Sequence, residues 1–491
     1  MSAPPSLRRN FALNVALSVL NIAYPVATLV YVSRIVGPAL LGRYYIAVSL
    51  AGYFLILAGM GIPLYGAREV ARRRHDADGL SRLFNELFFL NAVSTLVFFM
   101  AYLAVVAAVP DLRRDLPLFS ITGCLILLNA FATDWLFTGL EDFRNIAMRN
   151  VAARLVGLAM MFILVRGPGD FLAFAAMGVA VSAVANGIGF FAAVRRMGLR
   201  LRGLRLHAHL RPLLMLSAIL MVTAFYTNLD SVILGLMAGD REAGNYNAGL
   251  RISKILVTMV TSIGVVLIPR LTGYLSQGRD AEFFSLSRKS LDLICFLAFP
   301  AMVLLWSASD GISALAFGPE FHGASEIMRI TAPLIIVIGF TNCLGMQMLF
   351  PKGEEKLLFA SMAAAAAVNL ALNLALIPPF GAEGAAVATL AAETMVLIVQ
   401  ASFAWKRHGL ASMIDSRMAL YAGASLLAGV PFLAPWPEGM PILLRLAAAC
   451  LAGGILYLAC LALCKDPITR ELLGRVTGTQ RRRNQRSSNS P

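Results

Sequence analysis

Charge is what this sequence has least of. Only 14% of its 491 residues are Asp, Glu, Lys or Arg, against 58% apolar, and the mean hydropathy is +0.74. A soluble domain of this size could not bury so much apolar side chain, so the composition implies a polytopic membrane protein. Chemistry-bearing residues are scarce as well. The six cysteines (Cys124, Cys295, Cys343, Cys450, Cys460, Cys464) all fall in apolar runs without a CxxC, the pattern of small buried hydrophobes rather than of a metal or disulfide framework. Five histidines give one close pair, His207 and His209, in a basic stretch where both read as solvated. There is no GxxxxGK[ST], which excludes a P-loop ATPase on this chain. No Ser/His/Asp constellation or paired membrane carboxylates suggest an enzyme, and no large loop carries the acidic cluster of a membrane glycosyltransferase. The sequence assigns no catalytic residue, metal ligand or cofactor.

What the chain does have is long apolar runs. A span needs ~20 residues, and fourteen candidates satisfy this: 12–33, 44–65, 85–109, 116–138, 146–165, 170–193, 212–237, 245–273, 286–308, 327–350, 357–379, 384–404, 418–435 and 441–463. The expected fold is all-α. The first run follows a basic start and has no small-residue cleavage site, so it reads as a span rather than a signal. Turns between the runs are short and rich in Gly, Pro or charge, as in Gly167-Pro168-Gly169-Asp170 and Pro378-Pro379-Phe380-Gly381. The tail beyond 465 is basic and reads as disordered.

Basic residues distribute unevenly about these spans. The N-terminus, the even-to-odd loops and the C-terminus hold 31 of the 42 Lys and Arg, and the odd-to-even loops hold 6. The positive-inside rule then places both termini in the cytoplasm. The same asymmetry accounts for the net charge of +15, so no nucleic-acid partner is needed. The clusters at Arg72-Arg73-Arg74 and from Arg195 to Arg211 read as anchors against anionic lipid.

An internal repeat is visible. Gly37 to Tyr44 (GPALLGRY) precedes span 2 and Gly239 to Tyr246 (GDREAGNY) precedes span 8. Leu136-Phe137 with Gly139 and Glu141 closes span 4, as Leu349-Phe350 with Gly353 and Glu354 closes span 10, and Gly169 and Gly381 precede spans 6 and 12. Six spans per copy is even, so both copies enter the membrane with one polarity and predict two six-helix lobes about an axis along the membrane normal. The expected lobes are 1–205 and 206–410, followed by two outer, lipid-facing helices (411–465) and the tail (466–491).

Against this apolar background a few polar positions stand out. Arg251 and Lys254 lie one turn apart in span 8, and Thr258 and Thr261 continue their face. A cation at the bilayer centre costs ~2.5–3.5 kcal/mol, so these side chains should face protein or water. That leaves either an ion pair that fixes packing or the wall of a hydrated cationic cavity. Asn14, Ser18, Asn21, Tyr24 and Thr28 form one face of span 1, more polarity than interhelical glue requires, and read as a cavity wall. Asn228 and Asp230 in span 7, Asp134 beside Trp135 in span 4, Asn369 and Asn373 in span 11 and Glu393 in span 12 complete the set. For the last three, interhelical glue is an equal reading. Asp230 and Glu393 are also candidate sites for a coupling H+ or Na+.

Five stretches in this order carry a resemblance: SRIVGPALLGRYY, DWLFTGLEDFRNIAMRN, YTNLDSVILG with AGNYNAGLRI, FGPEFHGA, and NLALNLALIPPFGAEGAAVATLAAE. The chain resembles the polysaccharide-transporter flippases of the multidrug/oligosaccharidyl-lipid/polysaccharide exporter superfamily, the group with the O-antigen-unit flippases. The resemblance covers roughly residues 10–410. It implies fourteen helices in two lobes, alternating access, and export of an undecaprenyl-diphosphate-linked oligosaccharide across the bacterial inner membrane. A polysaccharide polymerase and glycosyltransferases are the implied partners. Asp134, Trp135, Asp230 and Arg251 would be cavity or lobe-interface positions, and spans 13 and 14 would border a lipid-tail groove by analogy with lipid II flippases. A lipid II flippase and a multidrug/cation antiporter are the alternatives within that superfamily.

Overall fold

A computed structural model describes residues 7–200, 204–408, 415–437 and 439–476, without the side chains of 7–23, 218–219, 222–228, 263, 265–266 and 473–476. Among the described residues there is no strand, and ten helices are long and apolar enough to cross a membrane. The chain divides into two compact units. The first comprises residues 1–247 with 316–321 and 373–382, and the second comprises 248–315, 322–372 and 383–491.

The first expected span and most of the second are one helix, α1 (Leu7–Gly59), with a kink at Gly37 in place of a loop; the last residues of the second fall in α2 (Ile62–Arg73). Gly37 takes φ 74°, a left-handed value that favours glycine, and Pro38 behind it starts the next helical stretch, where a missing N–H is harmless. The first unit continues through α2 (Ile62–Arg73), α3 (Ala77–Ala108), the single turn α4 (Pro110–Arg113), α5 (Leu116–Leu128) and α6 (Asp134–Gly139). It then runs through α7 (Phe143–Leu164), α8 (Phe171–Met197), α9 (His207–Ala238) and the first turns of α10 (Asp240–Ser276).

Expected span 4 is broken between α5 and α6 by a 3-10 turn at Asn129–Phe131 and extended backbone at Ala132. A break at membrane depth frees carbonyls that lipid cannot satisfy. Here the side chain of Asn186 donates to Leu128 O (3.1 Å) and that of Asn91 to Asn129 O (2.7 Å). Trp135 Nε1 takes Ala132 O at 3.1 Å.

At one end of this unit the two copies of the sequence repeat meet. A Cβ on Gly42 would lie 1.7 Å from Asp240 O, and one on Gly244 would lie 1.9 Å from Pro38 O. Only two glycines permit backbones this close. Arg43 closes the seam from the side, with Nε 2.5 Å from Asp115 Oδ2 and Nη1 3.4 Å from Asp240 Oδ1.

The second unit holds the rest of α10, α11 (Asp280–Ala316), α12 (Ala324–Thr331) and α13 (Leu334–Thr341), most of α14 (Glu355–His408), then α15 (Ser416–Gly429), α16 (Ile442–Leu463) and α17 (Pro467–Val476). Expected span 10 is α12 and α13 continued by a wide π turn at Asn342–Leu349, steadied by a 2.6 Å bond from Ser290 Oγ to Gln347 Oε1. Expected spans 11 and 12 fuse in α14 through a kink at Gly381, φ 53°. Outward faces of α15 and α16 carry exposed Leu426, Leu443, Leu451 and Ile455.

Candidate functional site

Polar side chains gather at three places. In the first unit Asp230 of α9 is buried and accepts two short hydrogen bonds, from Tyr246 Oη to Oδ2 (2.7 Å) and from Asn373 Nδ2 to Oδ1 (2.6 Å). One carboxylate thus ties α9, α10 and α14 together. Nearby, Glu242 Oε2 accepts from the backbone N–H of Ala382 at 3.0 Å, satisfying a donor that the Gly381 kink leaves without a helical carbonyl. Asn373 and Asn369 are both buried.

In the second unit α10 shows two opposite faces. Ser253, Val257 and Val260 are buried, and Ser253 Oγ lies 2.7 Å from Thr331 Oγ1 of α12. Arg251, Lys254 and Thr258 are exposed and Thr261 is half-buried, so the stripe expected from spacing is a stripe in space. Thr258 and Thr261 return their hydroxyls to the carbonyls of Lys254 and Val257 (2.8 and 2.9 Å), which keeps the apolar helix from carrying loose donors. Glu393 of α14 is half-buried.

The third place surrounds the break after α5. Asp134 opens α6 with its side chain 55% exposed and pairs with Arg149 of α7, whose side chain is only 2% exposed. Gly189 of α8 leaves the room that the guanidinium occupies, and Arg149 Cζ lies 5.4 Å from the Phe137 ring centroid. Trp135, expected at a cavity or lobe-interface position, packs inside the first unit. It is buried, stacks on Phe84 and fills the space over Gly66, where a Cβ would lie 2.6 Å from its ring. Adjacent residues on a helix point to different sides, so Asp134 and Trp135 do not share a surface.

Of the span-1 stripe, Tyr24 and Thr28 are half-buried, and Arg154 of α7 sits 6.0 Å from the Tyr24 ring centroid. The side chains of Asn14, Ser18, Asn21 and Asn228 lie outside the described residues.

Two residues escaped the sequence reading. Arg149 sits in the same motif as Asp134, but its burial depends on Gly189 of another helix. His209, expected in solvent, is buried, whereas His207 is exposed. The difference comes from Glu86, 123 residues away, which meets the His209 ring at 3.0 Å.

These features define an all-α, multi-pass membrane protein. Its fold is similar to that of the lipid II flippase MurJ in an inward closed conformation, over 94% of this chain and 100% of that one (TM-score 0.76, 12% identity). It is also similar over 82% of its length, and 98% of the other's, to an inward-facing multidrug resistance MATE family transporter of the MOP superfamily (TM-score 0.60, 12% identity). Residues 7–275 match the family described as polysaccharide biosynthesis protein, and the chain belongs to that family. A relative from Escherichia coli (strain K12), named as an O-antigen transporter, is 23% identical over 401 residues, 81% of this chain and 96% of that one. Another from Rhizobium tropici, named as the lipid II flippase MurJ, is 26% identical over 266 residues, 52% of this chain and 50% of that one. The resemblance read from the five motifs is borne out.

Proposed function

We propose that the protein is a flippase that moves a lipid-linked oligosaccharide, an undecaprenyl-diphosphate-linked unit, across the cytoplasmic membrane by alternating access. The observation that carries this reading is the exposed face of α10. Arg251 and Lys254 stand one turn apart within a helix apolar enough to span a bilayer. At that depth two cations belong to water or to an anion, and a diphosphate is an anion that each can bind through charge-assisted hydrogen bonds. Asp134, the side chains of span 1 and Asn228 supply polar groups for the sugar, and the apolar outer faces of α15 and α16 leave the isoprenoid in lipid. Asp230, and with it Glu393, is the proposed position of a coupling H+ or Na+.

In this reading fourteen spans form lobes 1–205 and 206–410 with both termini cytoplasmic, and 411–465 lie outside them. The chemistry of a lipid diphosphate is common to lipid II and to glycan precursors, so the test must separate them. Arg251→Ala/Lys254→Ala is expressed in two strains, one lacking its own polysaccharide flippase and one depleted of its lipid II flippase. The expected result is that the wild-type chain restores surface glycan in the first strain and not growth in the second, while the double variant accumulates but exports nothing. Normal glycan export by the double variant removes the binding role; rescue of the second strain reassigns the substrate to lipid II.

A further inference from the structure

A buried titratable cluster lies in the first unit, where the chain enters α9. His209 is 4% exposed, Glu86 5% and Tyr65 7%. Tyr65 Oη lies 2.7 Å from His209 Nδ1, and His209 Nε2 lies 3.0 Å from Glu86 Oε2. The backbone N–H of Arg205 donates to Glu86 Oε1 at 2.8 Å. One hydrogen-bonded chain therefore joins α2, α3 and the first turn of α9, inside an apolar shell that includes Leu83, Leu87 and Leu213.

We infer that this chain of groups is a proton-binding site, and that its occupancy sets how firmly the first turn of α9 is held to α3. The hydrogen positions decide the argument. With a neutral ring protonated on Nε2, every group is satisfied: Tyr65 donates to Nδ1, Nε2–H donates to the Glu86 carboxylate, and Glu86 also accepts from Arg205. A second proton can go only on Nδ1, where it faces the Tyr65 oxygen. Tyr65 then turns its own hydrogen away and becomes the acceptor, and the His209–Glu86 bond becomes charge-assisted on both sides in a place water does not reach. Such bonds are about twice as strong as neutral ones.

The charges facing the cluster favour Glu86 as the partner. From α2, Arg68 lies over the Tyr65 ring (5.6 Å), and Glu69 is already held by Arg68, Arg72 and Arg73 at 3.7, 2.9 and 3.3 Å. From α3 come Arg82 and Glu86, and the segment entering α9 brings the backbone N–H of Arg205. His207, on the same turn as His209, is exposed. Glu86 is thus the carboxylate left for the ring. Imidazole can take up a second proton without a change of covalent structure, so the clasp is built around a group that can change its charge.

This inference is independent of any transported substrate. The full-length protein in lipid nanodiscs is followed by amide hydrogen exchange across 204–213, corrected for intrinsic rates, together with the slow C2 exchange of each histidine. Between about pH 8.5 and about pH 5.5, amide protection in this segment is expected to rise on the order of tenfold, with a titration step in His209 C2 exchange. His209→Gln, whose amide can make both neutral bonds, is expected to keep the alkaline level of protection at either pH. Equal protection of the wild type at the two pH values overturns the proposal, as does an unchanged pH response in His209→Gln. If that variant does not accumulate, the C2 exchange of the wild type decides alone, and the absence of a step overturns it.

Discussion

Asn373 donates a 2.6 Å hydrogen bond to Oδ1 of Asp230, and with Tyr246 on Oδ2 it joins three helices through one buried carboxylate. Asp230→Ala strands two buried donors, each costing ~1–3 kcal/mol, and should lower the melting temperature of the purified protein and its level in the membrane. Asp230→Asn preserves the shape and one acceptor. If Asp230 is the coupling position, Asp230→Asn should accumulate at more than half the wild-type level yet export no glycan. Immunoblotting beside a surface-glycan gel reads both, and full export by Asp230→Asn removes the coupling role.

Arg149 and Arg251 are both cations in apolar helices, but their surroundings differ. Arg149 is packed against Phe137 and Gly189 and paired with Asp134, whereas Arg251 is exposed. Arg149→Ala should therefore destabilise the fold, by ~1.5 kcal/mol toward the low end for a charged hydrogen bond because Asp134 is half in solvent, with lost packing added. Arg251→Ala should cost less, since an interaction at an exposed side chain is worth at most about 1 kcal/mol. Thermal unfolding followed by size-exclusion fluorescence compares the two, and an equal loss for both contradicts the distinction.

The glycine seam makes a third comparison. A methyl at Gly42 or Gly244 would run into a backbone carbonyl, 1.7 Å from Asp240 O or 1.9 Å from Pro38 O, while nothing lies within 4 Å of the position at Gly52. Overpacking of this kind costs ~1–3 kcal/mol. Gly42→Ala and Gly244→Ala should each lower stability or part the seam, making a cysteine at Pro38 reactive toward a water-soluble thiol reagent. Gly52→Ala, in open helix, should be neutral or stabilising by up to ~1 kcal/mol. Three indistinguishable variants would mean that the seam is not tight in solution.

Orientation is the fourth. The 31-to-6 distribution of Lys and Arg predicts that a reporter fused after Arg205 is cytoplasmic and one fused after Ala316 is external. Alkaline phosphatase and green fluorescent protein fusions report the two sides, and the opposite result at either site breaks the fourteen-span arrangement.

Helix was legible because hydropathy is a local property, and the expected runs fall largely on helix, although 44–65 and 116–138 each cross a break. What was not legible depends on distant partners. Nothing between Gly37 and Tyr44 tells a kinked continuous helix from a loop; the difference is one left-handed glycine followed by proline. The break at Thr133 is tolerable only because Asn91 and Asn186 reach in from α3 and α8. The common face of Arg251, Lys254, Thr258 and Thr261 follows from spacing alone, because helical periodicity is local. The burial of Trp135 was not legible, because its neighbour Asp134 is polar and its own pocket is made by Gly66, far upstream. His209 was misread for the same reason: the sequence around it is basic, and the carboxylate that buries it lies on α3.

Pro38 and Asp240, like Gly42 and Gly244, are counterparts in the internal repeat, so the seam obeys a rule stricter than proximity. Gly42 meets Asp240, and the counterpart of Gly42 meets the counterpart of Asp240. Reciprocal contacts of this kind are what a two-fold axis produces between identical subunits. The seam is therefore self-complementary within the repeat: each glycine seats the backbone at the start of its counterpart's helix. A methyl at either glycine thus strains one and the same seam, from opposite sides.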